Sequence, residues 1–379
     1  MHRLLPLLVA AVFASRLVCQ AGELRLSAPL EHSVTQRSSR EKGSVRIAGC
    51  VEGLDERAVI EARTVVDGRE APWAALPAGV KGDEFDSAME IPAGGWYRLE
   101  VRVTTAGQVI AEAAVEDIGV GEVFVVAGQS NSANHGEVKQ KTTTGRVAAF
   151  DGMAWRIAED PQPGASGKGG SFMPPFGDAM VQEFDVPVGI VACGLGGTSV
   201  REWLPKGDTF PNPPTVERSV ERLPTGEWAS KGAIFPPFVA RLKALGPRGF
   251  RAVLWHQGES DANQKDPTRT LSGILYRQYL ERIIRSSRTE IGWEAPWFVA
   301  QASYHVPGDE ASPDIRAAQA ALWQDGIAFQ GPDTDALKGD LRERDGQGVH
   351  FSGKGLLEHG AKWAEKVGPW LKEQLATRP

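Results

Sequence analysis

Between residues 23 and 118, hydrophobic and polar side chains alternate along several short stretches. The alternation is clearest in residues 44–49, 59–66, 96–103 and 109–115. A repeat of two is typical of strands that bury one face, and glycine turns such as Asp67-Gly68 separate them. Short strands at this spacing, without a helical stretch between them, predict a small β-sandwich-like domain over residues 22–118.

After residue 119 the pattern changes to hydrophobic runs that alternate with stretches of helical period. The predicted strands are residues 122–127, 188–193, 250–255, 296–301 and, shorter, 327–329. The predicted helices are residues 176–184, 238–245, 272–286, 314–324 and 353–375. Strands that alternate with helices predict a parallel sheet wrapped by helices, here an α/β domain over residues 119–379. Residues 206–226, rich in proline and charge, are predicted as a long surface loop.

The first 21 residues have the pattern of a secretory signal peptide. Residues 1–3 give a basic start, and residues 4–14 form an apolar run that is too short to span a bilayer. Small residues offer cleavage sites after Ala14 or Ala21. We therefore expect a secreted or periplasmic protein.

The composition is that of a soluble globular protein of two domains. Of 379 residues, 41% are hydrophobic and 24% are charged, which excludes wholesale disorder. The net charge of −6 gives no electrostatic footprint for nucleic acid or an anionic membrane, and no later stretch reaches membrane-spanning length. Three cysteines cannot build a disulfide framework or a four-thiolate zinc site. After cleavage at Ala21 only Cys50 and Cys193 remain, in different segments, and we predict both as buried free thiols.

Polar residues follow the predicted strands at the points where three of them end. Residues 128–131, 194–199 and 256–261 come directly after strands, and residues 345–351 precede the last helix. In an open parallel sheet, ligands bind outside the carboxyl ends of the strands. We therefore expect these four segments to meet at one edge of the sheet and to form a site.

Some of these segments come close to other known motifs but depart from each. Residues 194–199 nearly match a dinucleotide fingerprint, but Ser199 replaces the third glycine. Residues 348–355 nearly match a phosphate loop, but they lack the serine or threonine that would hold magnesium. Residues 128–132 miss the nucleophile elbow of α/β-hydrolases at its last residue. No pair of histidines has zinc-ligand spacing, so a metal site would have to come from scattered residues, and no cofactor is predicted.

The remaining chemistry that fits is acyl transfer. A serine nucleophile needs a base to take its proton and donors that stabilise the developing oxyanion. Ser130 lies at a glycine turn after a strand, and His350 in the late loop is the expected base. The expected oxyanion donors are the amide of Ser130 itself, the amide of Gly197 or Gly196, and the side-chain amide of Gln257.

Four blocks of this chain resemble those of a known family. They are Gly128-Gln129-Ser130-Asn131, Gly196-Gly197-Thr198 with Trp203 behind it, residues 255–261 (Trp-His-Gln-Gly-Glu-Ser-Asp), and His350-Phe351. Together they resemble the sialate O-acetylesterase family of the SGNH (GDSL-like) hydrolases, which is related to carbohydrate esterase family 6. The resemblance spans about residue 119 to the C-terminus, and residues 255–261 are its most specific part.

This resemblance implies a flavodoxin-like three-layer α/β/α fold, no metal, and hydrolysis of O-acetyl groups on sugars. It also implies Ser130 as nucleophile, His350 as base, and Gly197 with Gln257 as oxyanion donors. Many SGNH enzymes have an asparagine where this chain has Gln257.

The chain departs from the family in the carboxylate that orients the histidine. Such enzymes usually carry an aspartate three residues before the histidine, but Gln347 occupies that position. Asp345 is the nearest carboxylate, and the glycines beside it would let the loop carry it to His350, so we predict Asp345 in this role. Glu259 is the competing carboxylate, and a Ser–His dyad is the third arrangement.

Three further residues in these blocks are expected to support the site rather than to react. Gln129 and Asn131 flank Ser130, and Glu259 follows the third predicted strand. Their polar side chains would hydrogen-bond the loops near the reacting groups.

The expected partner is an O-acetylated carbohydrate. Sialic acid is the substrate class that the family name implies, and acetylated xylan or another polysaccharide is the alternative within the same chemistry. A catalytically silent carbohydrate-binding protein of the same fold is the alternative from another class. The sequence does not select the sugar, because specificity lies in loops such as residues 206–226.

Overall fold

The computed structural model describes residues 23–54, 57–77 and 79–377, and the predicted signal peptide lies outside these ranges. The strands are, in chain order, β1 (Arg25–Ala28), β2 (Val34–Gln36), β3 (Lys42–Cys50), β4 (Val59–Val66), β5 (Arg69–Glu70), β6 (Ala74–Ala75), β7 (Gly79–Lys81), β8 (Glu84–Pro92), β9 (Gly94–Thr105), β10 (Gln108–Gly128), β11 (Val147–Phe150), β12 (Trp155–Ile157), β13 (Val188–Ala192), β14 (Thr209–Phe210), β15 (Val220–Arg222), β16 (Trp228–Ser230), β17 (Ala252–His256), β18 (Trp297–Gln301) and β19 (Phe329–Asp333). The helices are α1 (Met173–Phe184), α2 (Phe235–Ala244), α3 (Gly273–Ile291), α4 (Pro313–Gln324), the single turn α5 (Glu343–Gly346), and α6 (Gly353–Ala376). Within the described ranges, no helix is both long enough and apolar enough to cross a membrane.

The N-terminal part folds into two sheets around a shared hydrophobic core. Strands β1, β3, β8 and β7 form one antiparallel sheet in that order, and β4, β9 and β10 pair antiparallel in the other. Their buried faces meet in one cluster, which includes Ile47 of β3, Phe85 of β8, Leu99 of β9 and Ala111 of β10. Exposed and buried residues alternate along β8, because each strand covers the core with one face only.

Cys50, at the end of β3, takes part in a disulfide bond, whereas Cys193 is a free, buried thiol. The prediction of two free thiols is therefore wrong for Cys50 and confirmed for Cys193. Cys50 and Cys193 lie in different segments, which correctly excluded a bond between the two. That argument does not exclude a disulfide between Cys50 and another cysteine.

One long strand, β10, belongs to both parts of the chain. Its first half pairs antiparallel with β9, and its second half pairs in parallel with β13 and β17. The burial pattern changes along it from alternating to continuously buried, because the second half lies inside a sheet that is covered on both faces. The predicted boundary near residue 118 falls within this strand, at the point where the burial pattern changes.

The C-terminal part is a large sheet between two layers of helices. Its strands run in the order β12-β11-β13-β10-β17-β18-β19, and all neighbours are parallel except β12 and β11. Val123 and Val125 of β10 pack into one cluster with residues of α2, α3 and α4, whereas Phe124 and Val126 pack into another with residues of α1 and α6. Successive residues of a strand face opposite sides of the sheet, so helices cover both faces.

Five of the helices overlap the predicted helical stretches, and their ends follow ordinary capping rules. Ser272 caps α3 by accepting a hydrogen bond from the amide of Leu275, and Gly292 ends the helix in the left-handed conformation with φ 75°. Ser352 caps α6 by accepting from the amide of Gly355. Ser272 and Gly292 thus mark the two ends of α3, and Ser352 marks the start of α6.

The structure differs from the sequence prediction in two stretches. The last strand of the sheet begins at Phe329 rather than covering residues 327–329. Residues 206–226 are not a loop throughout, because β14 and β15 within them pair with β16 in a small three-stranded sheet. Such two- and three-residue strands are too short to give a readable alternation in the sequence.

Candidate active site

Ser130 lies in a tight turn at the carboxyl end of β10, in the middle of the large sheet. The strand ends at Gly128, whose φ is 127°, and a Cβ there would lie 2.1 Å from the carbonyl oxygen of His256. The next amide, that of Gln129, donates to the same carbonyl oxygen at 3.0 Å. Ser130–Ser132 then form one 3-10 turn, in which the hydroxyl of Ser132 donates to the carbonyl of Gln129 at 2.7 Å. Only a glycine at position 128 allows this close approach, and it fixes Ser130 at the sheet edge.

A second glycine turn, residues 194–197, packs against this serine turn. The amide of Leu195 donates to the carbonyl of Gly128 at 2.9 Å, and a Cβ on Gly194 would lie 2.5 Å from the carbonyl oxygen of Ser132. Gly197 adopts φ 74°. Within the described part of the chain, the amides of Ser130 and Gly197 have no hydrogen-bond acceptor. The structure thus brings together the first two predicted blocks, and the amides of Ser130 and Gly197 in these two turns remain available as donors.

His350 is held by a carboxylate, and that carboxylate belongs to Glu343. Oε1 of Glu343 lies 3.0 Å from Nδ1 of His350 and accepts from the His350 amide at 3.3 Å. The amide of Glu343 in turn donates to the carbonyl of His350 at 2.9 Å. With Nδ1 donating to the carboxylate, the lone pair of a neutral imidazole is at Nε2, where it can accept a proton.

Asp345 does not have the role that the sequence predicted for it. Asp345 and Arg344 both have φ near 54°, and the Asp345 side chain is exposed. This left-handed pair reverses the chain, so that the residue before it, Glu343, returns to His350. Gly348 makes room for that return, since a Cβ there would lie 2.1 Å from Cγ of Glu343. The glycines do bend the loop towards His350, but they bring a different carboxylate.

Asn131 links the serine turn to the loop that carries His350. Its Nδ2 donates to Oε1 of Glu259 at 2.8 Å and to the carbonyl of Val349 at 3.3 Å. The rings of His135 and His350 lie 5.4 Å apart between centroids. The first and fourth predicted blocks therefore meet, as expected from their positions at one edge of the sheet.

Glu259 belongs to a buried network through one carboxylate oxygen, Oε1, and makes no hydrogen bond or ion pair with His350. Its carboxylate lies 3.3 Å from Nε2 of His256, whose Nδ1 lies 3.1 Å from Nε2 of His359. Burial by itself would raise the pKa of Glu259, but the charge and hydrogen bond of His256 and the hydrogen bond from Asn131 lower it from 4.5 to about 2. The competing prediction, that Glu259 orients His350, is not supported by this geometry; Glu259 supports Asn131 instead.

The depressed pKa of Glu259 makes a prediction about acid stability. Because the folded pKa lies below the ordinary 4.5, the ionised carboxylate stabilises the fold above that pH, and this contribution is lost as the pH falls towards 2. Glu259→Gln should therefore lower the free energy of unfolding by about 3 kcal/mol near neutral pH and by progressively less below about pH 4.5.

Urea unfolding of the wild type and the Glu259→Gln variant at several pH values measures this difference. Glu290→Gln, which removes an exposed carboxylate paired with Lys243, is the matched control and should have a small effect at every pH. A difference between wild type and Glu259→Gln that stays constant from neutral pH to about pH 2 would contradict the assignment.

Gln257 does not point at the open side of the site. Its side chain is fully buried, and Nε2 donates to Oδ2 of Asp261 at 2.7 Å, to Oε1 of Gln129 at 3.2 Å and to the carbonyl of Thr198 at 3.3 Å. The role of oxyanion donor predicted for Gln257 is therefore corrected to that of a scaffold residue, which ties three of the blocks together. Gln129 has the supporting role expected of it, since its Oε1 also accepts from the amide of Ser260 at 3.0 Å.

Arg201 fixes the segment of the chain that packs beside Gly197. It is fully buried, lies 3.3 Å from Asp261, and donates to the carbonyls of Asn212 and Pro213 at 3.1 and 2.8 Å. These contacts fix the segment that continues to Val216, whose Cγ2 lies 3.6 Å from the position of a Cβ on Gly197. Part of residues 206–226 thus packs beside the open amide of Gly197.

His135 and Ser166 also contact the site, although neither lies in the four blocks. Nε2 of His135 lies 3.0 Å from the hydroxyl of Ser166, which accepts from the amide of Gly196 at 2.7 Å. In the neutral imidazole, Nε2 of His135 either accepts from this hydroxyl or donates to it, depending on the tautomer. Burial and the neighbouring His350 lower the pKa of His135, which favours this neutral form.

No curated protein sequence matches the chain, whereas many solved structures do, among them the following three. The carbohydrate acetylesterase XAC1771 from Xanthomonas citri is 18% identical over 90% of this chain and 74% of its own, with a TM-score of 0.49. NanS is 16% identical over 66% of this chain and 98% of its own, with a TM-score of 0.44. A carbohydrate esterase family 2 enzyme with a carbohydrate-binding domain, from Corynascus thermopiles (Myceliophthora fergusii), is 12% identical over 92% of this chain and 99% of its own, with a TM-score of 0.37.

The family assignment itself comes from the sequence. The family described as "carbohydrate esterase, sialic acid-specific acetylesterase" matches residues 120–368, which include all four blocks and the Glu343–His350 pair. This match covers well over half of the chain, and the chain therefore belongs to this family of carbohydrate esterases.

Proposed function

We propose that the protein is a secreted serine esterase that removes O-acetyl groups from sialic acid residues of carbohydrates, on an SGNH-type α/β domain. The observation that carries the proposal is the orientation of His350, whose Nδ1 is held by Glu343 while its loop is joined to the Ser130 turn through Asn131. A serine, an oriented histidine and open amides are the groups that acyl transfer requires.

In the proposed reaction, Oγ of Ser130 attacks the acetyl carbonyl carbon and its proton passes to Nε2 of His350. Glu343 stabilises the imidazolium that results. The amides of Ser130 and Gly197 donate to the oxyanion, and its collapse expels the sugar hydroxyl, which takes the proton from His350. Water, deprotonated by His350, then attacks the carbonyl carbon of the acetyl-serine, and the collapse of this second intermediate releases acetate while His350 returns the proton to Oγ of Ser130.

The substrate preference is proposed to depend on residues 212–217, the stretch of the chain beside Gly197. Arg201 fixes the carbonyls of Asn212 and Pro213, and Arg269 lies 2.6 Å from Glu217. Because residues 212–217 are fixed at both ends, this segment would position the sugar with little rearrangement of its own backbone. Such a rigid surface favours selectivity among acetylated sugars.

We expect the purified protein to release acetate from O-acetylated N-acetylneuraminic acid faster than from acetylated xylan at equal ester concentration. Enzymatic measurement of free acetate, with Ser130→Ala as the blank, compares the two substrates directly. Faster release from acetylated xylan would assign the enzyme to polysaccharide deacetylation instead, and no release from either sugar or from a chromogenic acetyl ester would contradict the esterase proposal.

A further inference from the structure

A second cleft lies at the opposite edge of the large sheet from Ser130. It has a volume of about 470 Å³, within the range of small-molecule sites of about 300–1,000 Å³. Phe250 and Arg251, which line it, directly precede β17, whereas Ser130 follows the carboxyl end of the parallel neighbour β10. Arg37, just after β2, lines the facing side. The cleft therefore cannot be an extension of the candidate active site.

The base of the cleft carries an excess of positive charge. Arg37 and Arg251 are buried, with 3% and 7% of their surface exposed, and both pair with the single carboxylate of Glu122 at 2.6 Å. Nη2 of Arg37 has no hydrogen-bond partner within the described ranges. Two buried guanidinium groups share one carboxylate, so the pair retains a net positive charge that an anion would neutralise.

The rim of the cleft adds a third arginine and an aromatic face. The exposed Arg248 lies over the half-buried ring of Trp293, with its guanidinium carbon 5.8 Å from the ring centroid. Phe250 packs against Trp293 at 5.0 Å between centroids, which fixes the indole in place. The acidic residue of the rim, Glu294, is exposed to solvent and pairs with Arg288 at 3.3 Å. A fixed indole beside cationic groups offers both an apolar face and charge.

We propose that this cleft binds a carboxylate-bearing sugar residue, at a second site that does not take part in ester hydrolysis. Arg248 at the rim would bind the carboxylate, the net positive charge of the two buried arginines would attract it, and the apolar face of the pyranose would pack on the exposed part of Trp293. The charge of the cleft alone indicates that the ligand is an anion. The further statement that this anion is a sugar rests on the proposed function. A glycan held here would keep its acetylated residues at high local concentration near the enzyme.

Calorimetric titration of the full chain tests the proposal with three probes: sialyllactose, lactose and inorganic phosphate. Sialyllactose should bind, and lactose, which lacks the carboxylate, should not. Arg248→Gln and Trp293→Ala should each weaken sialyllactose binding about tenfold, which corresponds to a contact worth about 1.4 kcal/mol. Both variants should keep the wild-type rate on a small chromogenic acetyl ester.

The matched controls are Arg285→Gln, an exposed arginine of α3, and Trp73→Ala, a tryptophan packed between Arg63 and Arg102 outside the cleft. Neither should change binding. Unaltered affinity in both cleft variants would overturn the proposal, and phosphate that binds as tightly as sialyllactose would overturn the assignment to a sugar. Sialyllactose binding that depends on Arg248 and Trp293, in a protein that releases no acetate, would support the cleft and contradict the proposed esterase function.

Discussion

Replacing Ser130 by alanine is expected to lower kcat for acetyl ester hydrolysis by about 10⁴-fold to 10⁶-fold while the protein stays folded. In the proposed mechanism the variant loses the oxygen that attacks the acetyl ester, and what remains comes from the oxyanion donors and substrate binding. Steady-state kinetics on a chromogenic acetyl ester, with the fold checked by circular dichroism, measures the effect. Within the residues that the structure describes, the Ser130 hydroxyl makes no hydrogen bond, so the fold should tolerate the change.

Ser132→Ala is the matched control, because it removes a hydroxyl from the same 3-10 turn. That hydroxyl donates to the carbonyl of Gln129 and has no part in the proposed reaction. We expect a loss of about 1 kcal/mol in stability and a much smaller loss of activity than for Ser130→Ala. A folded Ser130→Ala protein with near-normal turnover would contradict the catalytic assignment.

Glu343→Gln is expected to lower kcat by about 10²-fold to 10⁴-fold at neutral pH, whereas Asp345→Asn should change it less than about twofold. The glutamine keeps the size of the side chain but presents a neutral amide to Nδ1 of His350. The imidazolium then loses its charged partner, and the tautomer with an open Nε2 is no longer favoured. The Asp345 side chain is exposed to solvent, so its charge should have little effect on His350.

The pair of variants separates the three arrangements of the site. A large loss for Asp345→Asn with none for Glu343→Gln would contradict the structure of this loop. Full activity in both variants would indicate a Ser–His dyad that needs no carboxylate.

The sequence predicted the parts of the fold that repeat with a clear period. The long helices α3 and α6 and the buried strands β13, β17 and β18 lie where the hydrophobic pattern placed them. Short strands such as β14 and β15 were missed because two or three residues carry no period. The continuity of β10 was missed for another reason: its pattern changes midway, since one half is covered on one face and the other half on both.

The site was predictable at the level of blocks but not of side-chain direction. Ser130 and His350 stand at the edge that the order of strands implied, whereas the carboxylate depends on two left-handed residues, Arg344 and Asp345, which neither spacing nor composition reveals. Gln257 was assigned to the oxyanion because it follows a strand, but Asp261 draws its amide into the buried scaffold. A glutamate seven residues before the histidine, with Gly348 between them, is the pattern that indicates such a return of the chain.

The most direct test of the central claim, that Ser130 is an activated nucleophile, is labelling with a fluorophosphonate probe followed by peptide mass spectrometry. The probe reacts with a serine only where a base and oxyanion donors activate it. We expect one adduct, on the peptide that contains Ser130, formed at the same rate as activity is lost, and strongly slowed in Glu343→Gln. Complete inactivation with the adduct on another residue and Ser130 unmodified would contradict the account.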